Sequence, residues 1–160
     1  ITKRLNLYPY QQLYFSRFRY GSLMPLFSKK TKERVFCTRD EQVLLVTGIA
    51  SPAPLVEKVK SYTPNVNLLE FGDHHNFDKK DLKLIEEQFV QLKGSKKLII
   101  TTEKDATRLK VHPALSDALK PYIYVLPIEI EFLQNQQYLF NQNIIDYVRT
   151  YSRNRNLSER

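Results

Sequence analysis

Residues 42–52 read QVLLVTGIASP, and this stretch decides the fold. Val43 to Val46 form a short apolar run rich in β-branched residues and closed by Gly48, which reads as a strand ending in a turn. Ser51-Pro52 follows as a helix cap with proline in the first turn, and Leu55, Val56 and Val59 give that helix an apolar stripe.

The same alternation repeats outward from there. VNLLEFG (66–72) is a second strand. Asp78-Lys-Lys-Asp81 caps a helix whose apolar positions Leu82, Ile85, Phe89 and Leu92 are spaced by three, four and three, with Gly94 closing it. KLIITT (97–102) is a third strand, Thr102-x-x-Asp105 a further cap, and YIYVLPI (122–128) a fourth strand. Short strands joined through helices predict an α/β fold: a three-layer, Rossmann-like parallel sheet of about four strands with flanking helices. A last helix is expected over about 139–151, with Phe140, Ile144, Ile145 and Val148 turned inward. Residues 1–40 break the rhythm. QQLYFSRFRYG (11–21) reads as a strand and SKKTKER (28–34) as a charged loop, together a β-hairpin-like lead-in or the stub of a neighbouring domain. The expected division is therefore a lead-in at 1–40, an α/β domain at 41–152 and a basic flexible tail at 153–160.

Composition sets the outer limits. At 160 residues, 42% hydrophobic and 26% charged, the chain suits one soluble domain with at most a small appendage. No apolar run approaches the roughly 18 residues of a membrane span. The single cysteine, Cys37, excludes an internal disulfide framework, and no second cysteine or histidine follows it in sequence at the spacing of a zinc site. The chain opens on Ile1 and not Met, as a piece of a longer protein would. The net charge of +8 is unevenly placed: residues 1–40 hold nine Lys and Arg against two Asp and Glu, and residues 149–160 hold four against one, while the middle is slightly acidic. Positive flanks are either solvated surface or an attraction to an anionic partner.

In a parallel α/β sheet, ligands bind beyond the carboxyl ends of the strands, where loops and helix N-termini converge. Gly48 to Pro52, Gly72 to Asn76 and Thr101 to Asp105 each follow a predicted strand and are expected on one rim. That places Asp73, His74 and His75, from the stretch EFGDHHNF (70–77), at a candidate active edge. A carboxylate there can orient an imidazole, and a neutral imidazole can take a proton near neutral pH. The plainer reading of the same residues is a capped turn with polar loop histidines. DHH is also the spelling of a metal-dependent phosphoesterase superfamily, but two-metal chemistry needs several carboxylates and histidines from separate strands, whereas the early region offers only Asp40 and no D-x-D pair, and His112 sits in a loop with Pro113.

The order LLVTGIASP (44–52), FGDHHNF (71–77), LIITTEKDATRL (98–109) and YVLPIEIEF (124–132) resembles the carboxyl-terminal half of the tetraacyldisaccharide 4′-kinase family of lipid A biosynthesis. QQLYFSRFRYGSLMPLF (11–27) is similar to the segment joining that family's two halves. The family pattern runs G-I-G-x-P, D-H-x-x-[FL], T-E-K-D-A-V-K and a strand ending L-P-V. Here Ala50 and Ser51 depart from the first motif, and Thr107-Arg108 stand in place of Val-Lys.

The resemblance implies transfer of the γ-phosphoryl group of ATP, with Mg2+, to the 4′-hydroxyl of a lipid A disaccharide precursor at the cytoplasmic face of the bacterial inner membrane. It implies His74 and Asp73 as catalytic residues, His74 paired with a base carboxylate from the other half, and His75 at a variable, structural position. Thr102, Glu103, Lys104 and Asp105 would line the nucleotide cleft, with Gly48 and Ser51 in a further cleft loop. Thr102 and Asp105 are expected to satisfy a helix cap and leave Lys104 free. A phosphate loop G-x-x-x-x-G-K-[ST] is required, and the four glycines, 21, 48, 72 and 94, do not form one. ATP and Mg2+ would then be held mainly by an amino-terminal phosphate-loop domain, and this chain alone would be inactive. An RNA- or anionic-membrane-binding module built on Arg17, Arg19, Lys29, Lys30 and Lys32 is a different class; no nucleic-acid partner is expected from the resemblance.

Overall fold

In chain order, the computed structural model describes residues 4–27 and 37–158, the last seven by backbone alone. The predicted loop at 28–34, Lys29, Lys30 and Lys32 within it, and the last residues of the tail fall outside the described residues. Two compact units divide the chain, one of residues 1–19 with 129–160 and one of residues 20–128. The lines drawn from charge and composition at 40 and 152 do not coincide with this division, because strand pairing joins the two ends of the chain.

The larger unit is built on β3 (Gln42–Thr47), with β1 (Ser16–Tyr20) and β2 (Met24–Pro25) preceding it in sequence. α1 (Ala53–Lys60), β4 (Val66–Glu70), α2 (Lys79–Gln91), β5 (Lys97–Thr101), α3 (Glu103–Val111) and β6 (Ile123–Val125) follow. The strand order is β2-β6-β5-β3-β4, parallel throughout except for β2, which runs antiparallel to β6. The predicted three-layer parallel α/β sheet is present, with one short antiparallel strand more than expected. β3 is an interior strand, paired with β4 and β5, and nearly continuous in its burial, as a strand covered on both faces must be. Val43 and Leu45 pack with Leu55 and Val59 of α1 on one face. Leu44 and Val46 pack with Leu82, Ile85 and Phe89 of α2 and Leu109 of α3 on the other.

Local chemistry sets the helix ends. Asp78 and Asp81 make a reciprocal capping box at the start of α2. Gly94, just past its end, takes φ +85, the left-handed conformation glycine adopts without strain. At α1 the cap is Pro52, and no side chain bonds the free amides; Ser51 is exposed and does not supply the predicted cap.

The stretch 122–128 is not one strand. β6 ends at Val125, Leu126 and Pro127 break the run, and β7 (Ile128–Phe132) begins a separate two-stranded sheet with β1. The lead-in is therefore no local hairpin: β1 pairs with a strand more than a hundred residues later. Arg17 bonds Glu131 at 2.8 Å and Arg19 bonds Glu129, the order of an antiparallel pair.

The smaller unit adds α4 (Gln137–Ser158), longer at both ends than the helix expected at 139–151, so its backbone is helical into the predicted tail. Tyr14, Phe132 and Phe140 cluster at its start, with centroids 4.6–6.3 Å apart. Ile144, Ile145 and Val148, expected inward, are 51%, 39% and 55% exposed. Replacing the fully buried Leu45 of β3 by Ala should cost about 2–5 kcal/mol, read as a lower denaturant midpoint with an unchanged slope.

Candidate functional site

The carboxyl ends of β3, β4 and β5 meet at Gly48. Its amide N–H donates to Asp105 Oδ2 at 2.9 Å, joining the end of β3 to the first turn of α3. A Cβ at this position would stand 3.1 Å from the Gly72 carbonyl oxygen, 3.2 Å from Asp105 Oδ1 and 3.5 Å from His75 Cβ. These approaches are tighter than a Cβ usually makes, which is a packing reason for glycine at the end of β3.

Asp105 is fully buried. Its Oδ2 also accepts the Thr102 hydroxyl at 2.8 Å, while the Asp105 amide donates back to Thr102 Oγ1 at 3.2 Å. Oδ1 has no hydrogen-bond partner among the described residues and faces the Arg108 guanidinium at 3.8 Å. Thr102 and Asp105, assigned by resemblance to a nucleotide cleft, thus act as an internal latch with almost no surface to offer a ligand. Glu103 is exposed on the same turn and lines a shallow groove of about 310 Å³ with Met24, Ala106 and Val125. Ser51 lies exposed in the loop after Gly48.

Lys104 is not free. Its Nζ donates to Asp73 Oδ1 at 2.7 Å, and that oxygen also accepts the His74 amide at 2.9 Å. The other carboxylate oxygen lies 3.6 Å from His74 Nε2. This hydrogen bond from the Lys104 ammonium, aided by the charges of His74 and Lys104, holds the Asp73 carboxyl below its ordinary range. His74 adopts φ +59, a left-handed conformation that a non-glycine residue takes at some cost, and its side chain is 74% exposed.

His75 does the opposite. It turns inward, stacks on Phe71 at 4.9 Å, meets Phe77 edge-on and bonds Asp81 Oδ2 through Nε2 at 2.7 Å. Its carbonyl accepts from Arg108 Nη1 at 3.0 Å. The adjacent histidines are thus split, one presented to solvent and one fastened to the core. Sequence reading placed Asp73, His74 and the TEKDA turn on one rim, and the structure brings them together. It did not anticipate Arg108 or Asp81 as supports of the DHH loop: Asp81 is legible as a capping residue, and Arg108 shows only as the motif departure noted above. His112 lies apart, at the far end of α3, accepting the Ala114 amide on Nδ1. Among the described residues no three His, Cys, Asp or Glu are grouped to hold a metal ion.

Comparison with known proteins gives this rim a context. The family described as Tetraacyldisaccharide-1-P 4′-kinase matches residues 8–148. A tetraacyldisaccharide 4′-kinase of Bacteroides thetaiotaomicron is 58% identical over all of this chain and 44% of its own length, and one of Bacteroides fragilis is 55% identical over the same shares. This chain thus spans under half the length of the curated relatives it matches. A crystal structure of LpxK from Aquifex aeolicus in complex with ATP matches at TM-score 0.46 and 12% identity, over 84% of this chain and 36% of that one.

Asp105→Ala should destabilise the chain by about 3 kcal/mol, since it leaves the Gly48 amide and the Arg108 charge without their partner. Asp105→Asn keeps one acceptor and should cost less; thermal melts of the two variants compare them. Because the folded-state pKa of Asp73 is depressed, its link to Lys104 contributes above the unfolded value of about 3.9 and is lost as pH falls through the lower folded value. Carbon NMR should show Asp73 titrating below a reference Asp, with the His74 amide resonance moving in the same step.

Proposed function

The chain belongs to the tetraacyldisaccharide-1-P 4′-kinase family, and on that premise we propose that it is the carboxyl-terminal part of an ATP-dependent kinase phosphorylating the 4′-hydroxyl of a tetraacyldisaccharide 1-phosphate. The observation that carries this reading is the presentation of His74. An imidazole held outward on the strand-end rim, with an ionised carboxylate beside it, suits handling of the proton that an attacking sugar hydroxyl must lose. Phosphoryl transfer itself asks mostly for positioning and charge stabilisation.

Nothing among the described residues fits Mg2+ or a triphosphate: no carboxylate group is assembled for a metal, and no phosphate loop occurs in the sequence. ATP and Mg2+ are therefore assigned to an amino-terminal domain of the whole protein, and this chain alone is assigned no activity. His74 acts there together with a carboxylate base supplied by that domain. Glu103 and Lys104 stand at the edge of the cleft that the two halves would form. No described helix is long and apolar enough to cross a membrane, and the proposed place of work is the cytoplasmic face of the inner membrane, as a peripheral enzyme meeting its lipid there.

The other two readings draw no support. His75 turns away from the Asp73–His74 pair to bond Asp81, so the three do not converge on a metal position, and Arg17 and Arg19 are paired with glutamates across β1 and β7.

His74→Asn in the full-length protein is the direct test, because Asn tolerates the left-handed conformation and leaves the turn intact. The expected result is a kcat lowered roughly ten- to a thousandfold, with KM and melting temperature little changed. His75→Ala should lower the melting temperature, through loss of its ring stack and its Asp81 bond, and cost far less in rate. Equal rate losses that track stability would return the DHH stretch to a purely structural turn.

A further inference from the structure

We propose that Lys104 is a positioning residue: it fixes the Asp73 carboxylate so that the second oxygen faces the His74 imidazole, and in this way it aims His74 at the acceptor hydroxyl. The inference rests on the kinase reading above and assigns Lys104 a task other than holding nucleotide phosphate.

Four observations converge on it. Asp73 Oδ1 is shared between Lys104 Nζ at 2.7 Å and the His74 amide at 2.9 Å, so one carboxylate oxygen is committed and the other is left 3.6 Å from His74 Nε2. Among the described residues, Asp73 is the charged partner beside the His74 ring, whose side chain is 74% exposed, and the carboxylate is the group placed to limit where it points. Lys104 sits in the first turn of α3, where the helix dipole favours acidic residues such as its neighbours Glu103 and Asp105 and disfavours a cation. A partner acid across the rim accounts for a lysine at that position. Finally, the helix that carries Lys104 is itself immobilised. Asp105 latches its first turn to Gly48, and Arg108, one turn on, grips the His75 carbonyl.

Lys104, Asp105 and Arg108 therefore form one side of α3 that grips the loops after β3 and β4 at three points. The latch and the Arg108 bond set the height of the DHH loop, and Lys104 sets the rotation of the carboxylate inside it. Lys104 is half-buried and Asp73 exposed, each side chain 38% accessible, so the pair stands at the solvent edge of the rim. The ammonium also keeps Asp73 ionised, which leaves both of its oxygens acceptors.

A double-variant cycle in the full-length protein tests this. Lys104→Met, Asp73→Asn and the combination are compared for kcat, for KM toward ATP and for melting temperature, with Lys104→Arg as the conservative replacement. If Lys104 acts through Asp73, Lys104→Met lowers kcat about tenfold, within what lost orientation costs, and leaves KM for ATP and the melting temperature nearly unchanged. The double variant is then no slower than Asp73→Asn alone, and Lys104→Arg recovers most of the rate. Independently of activity, the Asp73 titration followed by carbon NMR should move up toward that of an ordinary Asp in Lys104→Met.

Additive rate losses, or a raised KM for ATP at unchanged kcat, would overturn the proposal and make Lys104 a phosphate contact. An unmoved Asp73 titration would overturn it as well, by removing the pair from solution. Should the unmodified full-length protein transfer no phosphate to the lipid, the kinase reading fails, and the Asp73 titration still decides whether Lys104 holds this carboxylate.

Discussion

A carboxylate taken out of water must find donors where it is buried, and Asp105 finds them at the one place where three strand ends can be tied together. The Gly48 amide from the end of β3 and the Thr102 hydroxyl from the end of β5 both point at the same oxygen, and the Arg108 guanidinium stands 3.8 Å from the other. Glycine at residue 48 suits the arrangement, since a Cβ there would press on Asp105 and on the Gly72 carbonyl and oblige them to shift by a few tenths of an ångström. Remove that constraint and the loops after β3, β4 and β5 lose their common fixed point.

The geometry of the DHH loop is a consequence. Phe71 donates its amide to the Thr47 carbonyl at 2.8 Å, which brings the end of β4 alongside the end of β3, and Arg108 takes the His75 carbonyl from the α3 side. Between these anchors the chain must turn sharply, and the turn places His74 at positive φ. The cost of that conformation is offset by the inward attachment of His75 to Phe71, Phe77 and Asp81. One histidine is fastened so that its neighbour can be presented.

The smaller unit follows a different logic. Its two strands come from opposite ends of the chain, and their exposed faces carry Arg17 against Glu131 and Arg19 against Glu129. Pairing of this kind contributes little stability at a solvated surface, but like charges in those positions would oppose the strand register. Two of the nine positive charges that set the amino-terminal flank apart in composition are thereby paired locally, which a count along the sequence does not show.

By itself the sequence determined the elements whose signals are local. The run Val43–Val46, the three-four-three spacing of Leu82, Ile85, Phe89 and Leu92, and the caps at Asp78 and Thr102 depend on neighbours within a few residues, and each appears where its pattern put it. The rim was legible for the same reason, because parallel strands joined through helices bring their carboxyl ends to one edge. What only the tertiary structure decided are pairings between residues far apart in the chain: β1 with β7, the break at Leu126-Pro127, Lys104 with Asp73, and the Gly48 amide with Asp105. In sequence Lys104 is simply a cation in a capped turn, and His74 and His75 are two equal letters. Their different fates follow from which side of a turn faces Phe71 and Asp81 and which faces solvent, and that is settled by long-range packing.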